Sequence, residues 1–77
     1  MESDKNYKRR NLYVYSNYGN TVIVLANSVY EAYGLLVAKK DEDNRRMYYP
    51  EFDEVKQIHD IYVMTNEDCK IIEPKNV

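Results

Sequence analysis

Two short runs rich in β-branched and aromatic residues, 12–18 and 21–27, flank Gly19-Asn20, and this pattern predicts a β-hairpin. Ser28 then stops the second strand and starts a helix, since its hydroxyl can accept from the Glu31 amide while the Glu31 carboxylate reaches back to the amide of Ser28. The helix is predicted from Val29 to about Lys39. Val29, Ala32, Tyr33 and Leu36 form its buried stripe, and Leu35 widens it. Gly34 costs the helix interior roughly 1 kcal/mol relative to alanine, which points to close packing there or to a tolerated defect. A polar loop over 41–46 leads to Pro50. Beyond it the pattern supports two readings. Glu51, Asp53 and Glu54 after the proline suit a helix first turn, with Phe52, Val55, Ile58, His59 and Tyr62 along one face. As a strand, 55–63 has apolar residues at Val55, Ile61 and Val63, with Ile58 out of phase. Cys69, Ile71 and Ile72 read as a final strand, joined to 61–64 through the turn residues 65–68 as a second hairpin.

The first turn fixes which side chains share a face. With a two-residue loop at Gly19-Asn20, Tyr18 pairs with Thr21, Tyr15 with Val24 and Tyr13 with Ala26. Leu12, Val14, Ile23 and Leu25 then lie on one face, and Tyr13, Tyr15, Val22, Val24 and Ala26 on the other. The aliphatic face is the expected seat of the helix. A one-helix domain then leaves the tyrosine face uncovered, and an exposed apolar patch of that kind marks an interface.

Length and charge narrow the uses of such a face. A chain of 77 residues makes one domain, and at this size folding buries only about 60 to 65 per cent of the unfolded surface, so a second copy of the chain would add stability. The expected division is a basic arm over 1–10, a domain over 11–73 and a tail over 74–77. Nine tyrosines supply large contact area with few rotatable bonds. Eleven Lys and Arg against thirteen Asp and Glu leave a net charge of −2, which speaks against a nucleic-acid binder of the basic kind. The single Cys69 makes no internal disulfide, no run is long enough to span a membrane, and residues 1–6 have no signal-peptide apolar region. A cytoplasmic location is expected.

Catalytic and metal chemistry find little support. One His and one Cys ten residues apart do not make a metal site. The acidic loop from Asp41 has Arg46 and Phe52 where a calcium loop needs Gly and Glu. Cys69 beside Asp68 is poorly placed to ionise, and two glycines cannot build a phosphate cradle. The expectation is a non-enzymatic protein with no cofactor and no metal.

The stretch 12–15, then 21–28, then Glu31-Ala32 and Leu35-Leu36, together with 55–61, resembles small accessory proteins of bacteriophages, in which a hairpin leads into a capped helix and two further strands. Some proteins of this build inhibit host defence, anti-CRISPR proteins among them. The resemblance implies that 55–61 is a strand, and hence an α+β domain of ββαββ order, an antiparallel sheet with one helix on one face; a second helix near 50–60 is the alternative. It implies a phage-encoded inhibitor of a host defence protein such as a CRISPR effector. The expected binding residues are Tyr13, Tyr15, Val22 and Val24 on the uncovered face, with Asp41, Asp43, Glu51 and Glu54 steering a basic partner. The alternative is single-stranded nucleic-acid binding, with Tyr13 and Tyr15 as stacking platforms and Lys8, Arg9 and Arg10 on the backbone.

Overall fold

A computed structural model describes residues 7–17 and 19–72. In chain order they form β1 (Lys8–Asn17), β2 (Asn20–Ala26), α1 (Val29–Ala38), β3 (Val55–Thr65) and β4 (Lys70–Ile72), with one 3₁₀ turn, Phe52–Glu54, ahead of β3. The strands make one antiparallel sheet in the order β3-β1-β2-β4, and α1 packs on one face of it. This is the α+β, ββαββ arrangement. The second helix near 50–60 reduces to the single 3₁₀ turn. Lys8, Arg9 and Arg10 belong to β1 rather than to an arm, while the rest of the arm apart from Tyr7, and the tail 74–77, lie outside the described residues.

The hairpin register differs from the expected one by two residues. Asn17 pairs with Asn20, Tyr15 with Val22 and Tyr13 with Val24; Thr21 pairs with Ser16, and Tyr18 lies outside the described residues. Gly19 sits at φ 82, where a side chain would be strained. Because the shift is an even number, the parity of the faces survives. Tyr13, Tyr15, Val22, Val24 and Ala26 do share a face, but it is the face that α1 covers. The outer strands explain why. Register places Val55 opposite Tyr15 and Ile71 opposite Val24, whereas Lys56 falls opposite Val14 and Lys70 opposite Leu25. Four strands are therefore apolar together only on the tyrosine face. The aliphatic face gains Ile72 opposite Ile23 but is otherwise framed by two lysines whose stems can lie along it.

The same registers account for the phase break in β3. Between the pairs Tyr13–Gln57 and Asn11–Tyr62, β3 advances five residues while β1 advances two. The surplus forms a large bulge with Asp60 at φ 64, and Ile58 is out of phase because the bulge begins at it. The second hairpin is not formed. β4 pairs with β2 at the far side of the sheet from β3, so residues 66–69 cross the end of β1 and β2. That crossing brings Ile71 and Cys69 against the core.

Helix α1 begins as its sequence indicates. The Ser28 Oγ accepts from the Glu31 amide at 3.2 Å, and the Glu31 carboxylate accepts from the Asn27 amide at 2.9 Å, one residue earlier than expected. Ala32 and Leu36 are fully buried, with Val29, Tyr33 and Leu35 packed around them. Replacing Ser28 by alanine is expected to lower stability by about 1 kcal/mol, read as a shift of the urea midpoint at constant slope; an unchanged midpoint would show that Glu31 alone holds this helix end.

Candidate protein-interaction surfaces

The tyrosines expected to form the exposed patch are core residues. Tyr13 is 2% and Tyr15 3% exposed, and Val22 and Val24 are buried beside them. The Tyr15 ring meets Tyr48 edge-on, with centroids 5.9 Å apart, a favourable aromatic geometry. None of the four can contact a partner protein or stack on a base while the fold is intact. The reason is the one that set the helix on this side: Val55 of β3 and Ile71 of β4 fall on this face, whereas Lys56 and Lys70 fall on the other, where Ile72 is the one apolar residue that β4 adds.

The acidic residues remain at the surface, and three of them have local structural work. Asp41 closes the loop after α1: its Oδ1 accepts from the amides of Asp43 at 2.9 Å and Arg45 at 3.0 Å. Asn44 at φ 64 completes the turn, and Lys40 bridges to Arg46. Glu54 accepts from the Glu51 amide at 2.9 Å and so fastens the 3₁₀ turn. Glu51 supplies the backbone for that contact. Asp43 is exposed. Lys39 and Lys40 line the same open hollow as Asp41, Glu42 and Asp43, so the acidic run does not present a uniformly negative surface.

Exposed apolar residues lie elsewhere, and sequence reading missed them. Ile61, Tyr62, Val63 and Met64 are four consecutive residues, each 36 to 52% exposed, on the edge strand β3 beyond its bulge. The guanidinium of Arg9 lies 4.2 Å from the centroid of the Tyr62 ring and supports it from β1. The signal was available as an unbroken apolar run, expected to pair with the last strand in a second hairpin. A second cluster joins Tyr30 and Tyr33 of α1 to Phe52, with ring centroids 5.3 and 5.5 Å apart.

Titratable chemistry is sparse. Burial pushes the Cys69 thiol up, and the Glu31 carboxylate, to which it donates, raises it further by hydrogen bond and by charge; Arg10 and the Asn27 backbone act in the opposite direction. The thiol is held in its protonated, weakly nucleophilic form. Its acidic neighbour is Glu31, brought near by the crossing of 66–69, rather than the adjacent Asp68. Among the described residues no three His, Cys, Asp or Glu are grouped as metal ligands, and no helix is long and apolar enough to cross a membrane.

Fold and surface together define a small α+β domain with one long edge strand and a single helical layer. Compared with protein-family models, curated proteins and solved structures, the chain matches none.

Proposed function

We propose that this chain is a non-enzymatic protein-binding module that docks through the free edge of β3. The observation that carries this reading is the run Ile61, Tyr62, Val63 and Met64, exposed on the outermost strand of the sheet. An edge strand presents unpaired backbone donors and acceptors, and natural proteins normally guard such edges with charge, proline or brevity. The bulge and Asp60 guard the first half of β3. The second half has no charged residue over 61–65. An extended segment of a partner protein can add there as a fifth strand, with main-chain hydrogen bonds for affinity and the alternating apolar side chains for selectivity. Asp43, Glu51 and Glu54 would favour a partner with a basic surface. A host defence enzyme that handles nucleic acid, met in a bacterial cytoplasm, has such a surface and is the partner class implied by the phage-protein resemblance.

The test compares capture by the wild-type chain with capture by Ile61→Lys and Met64→Lys, both at exposed positions where folding stability should stay within about 0.5 kcal/mol. Stoichiometric capture of one bacterial protein that each lysine abolishes supports the reading. Capture that survives both substitutions, or that is lost only with loss of the fold, would overturn it.

A further inference from the structure

The charges of this chain are sorted between its two layers. Among the described residues, no Asp or Glu holds a paired position in the sheet, whereas Lys8, Arg9, Arg10, Lys56 and Lys70 do. Alternation along β1 puts Lys8 and Arg10 on the same face as Leu12 and Val14, and register adds Lys56 opposite Val14 and Lys70 opposite Leu25. The aliphatic face therefore carries four of these five cations. The tyrosine face takes the helix layer and its acids: Glu31 lies on α1, and Glu51, Asp53 and Glu54 flank Phe52, whose ring touches Tyr30 and Tyr33. A net charge of −2 thus conceals a positive face.

Leu12, Val14 and Ile23 are half-buried at the centre of that face, Leu25 is buried, and Ile72 is 41% exposed at its β4 side. Helix α1, Tyr48 and Cys69 all pack on the opposite side. Acid approaches the aliphatic face at the β3 bulge, which carries Asp60, and at Glu67, which holds Lys70 at 2.6 Å. Both side chains of that pair are about half exposed, so it contributes little and exchanges readily for another partner. Lys8 and Lys56 pair with no carboxylate among the described residues.

We infer that this face docks an amphipathic helix of a partner protein, its apolar stripe flanked by Asp and Glu. The charge of the face selects acid, and its shape selects the helix. β3 and β4 lie three strand spacings apart, about 14 Å. A helix about 10 Å across fits between Lys56 and Lys70 with its flanking carboxylates over the two ammonium groups. A nucleic-acid single strand, another polyanion suited to a sheet, needs aromatic platforms for its bases, and no paired residue of this face is aromatic. An anionic membrane takes up side chains that protrude into it, and here the aliphatic ones are recessed. The docking goes beyond the edge reading, since it uses the face of the sheet and a partner segment of acidic character.

The probe is a synthetic peptide of about eighteen residues, roughly five helical turns, with a leucine stripe flanked by glutamate, compared with a twin flanked by lysine. Fluorescence anisotropy with the full chain should show the glutamate peptide binding at least about tenfold more tightly at low salt, the preference shrinking as salt is added. Lys56→Glu, at an exposed position that leaves the fold intact, should weaken that binding several-fold. Lys56→Glu combined with Lys70→Glu should reverse the preference, and binding of the lysine twin then shows that this variant is folded. Methyl resonances of Leu12, Val14 and Ile23 should shift on binding while those of Val22 and Val24 stay. Met64→Lys, at the β3 edge, should leave the affinity unchanged, so this proposal and the edge reading fail separately. Equal affinity for the two peptides, no binding of the glutamate peptide, a preference that survives the double substitution, or binding to vesicles of phosphatidylcholine and phosphatidylserine in place of the peptide would each overturn the proposal.

Discussion

Tyr15→Ala should unfold a large fraction of the molecules, lowering stability by about 3 to 5 kcal/mol, the range for removing a buried aromatic ring. A native chain of 77 residues has only about 4 to 12 kcal/mol in total. Tyr15 is 3% exposed, pairs with Val22 on one side and Val55 on the other, and meets Tyr48 edge-on. Its ring therefore joins three strands and the segment leading to Pro50. Truncation leaves a cavity that neighbouring backbone cannot close, because the sheet spacing is set by its hydrogen bonds. The control is the same substitution at Tyr62, a half-exposed ring on the same sheet whose contact is the Arg9 guanidinium. An exposed cation–π contact contributes about 0.5 to 1 kcal/mol, and Tyr62→Ala should lose no more. Urea denaturation of the two variants decides the matter. If Tyr15→Ala were as stable as Tyr62→Ala, the helix would have to lie on the other face of the sheet.

That contrast marks where the sequence was legible. The pattern over 12–27 told correctly which side chains share a face, because a period of two is a local property and survives a register error of two residues. It did not tell which face is inside. That choice was made by β3 and β4, whose residues meet the hairpin only once their registers are known: Val55, Gln57 and Ile71 extend the tyrosine face, Lys56, Lys70 and Ile72 the aliphatic one. Judged by the hairpin alone, an aliphatic face looks more apolar than one with two phenols. Judged over four strands, the ranking reverses. The start of α1 was legible for the opposite reason, since Ser28 and Glu31 act on backbone within one turn. The bulge in β3 was visible only as Ile58 out of phase.

The place of β4 was the largest topological surprise, and it has a consequence for the surface. A hairpin of β3 with β4 would have paired the backbone edge along Ile61, Tyr62, Val63 and Met64. Because β4 completes the sheet beside β2 instead, β3 keeps an open edge and its apolar run stays exposed. Four short turn residues suit a hairpin as well as a crossing, so turn chemistry could not distinguish the two. The crossing brings burial with it: from the β2 side Ile71 and Cys69 pack against the core.

Arg10 is the residue that holds the crossing in place, and its removal should be the second most damaging change. Its side chain is 7% exposed; Nη1 donates to the Asn27 Oδ1 at 2.9 Å and Nε to the Glu67 carbonyl at 3.3 Å. One guanidinium thus joins β1, the junction before α1 and the segment that carries the chain to β4. A hydrogen bond from a charged donor contributes about 1.5 to 3 kcal/mol. Two are lost in Arg10→Ala, but both acceptors lie near the surface and regain water in part, so a net loss of about 2 to 3 kcal/mol is expected. Burying a cation against neutral acceptors also has a cost, which the substitution relieves. Arg10→Met separates the contributions: it keeps an apolar stem and removes only the fork, so the difference between Met and Ala measures packing. Arg10→Lys keeps the charge yet offers a single ammonium to two acceptors on different elements, and should fall between wild type and alanine. The loss should also be local. Amide exchange in Lys70–Ile72 should accelerate more than exchange in β1 and β2 when Arg10 is replaced, since β4 has three paired residues and depends on the crossing for its position. Equal acceleration across the sheet would mean that Arg10 supports the fold as a whole, and unchanged exchange in β4 would mean that Ile71, through its contact with the core, is sufficient to hold the last strand.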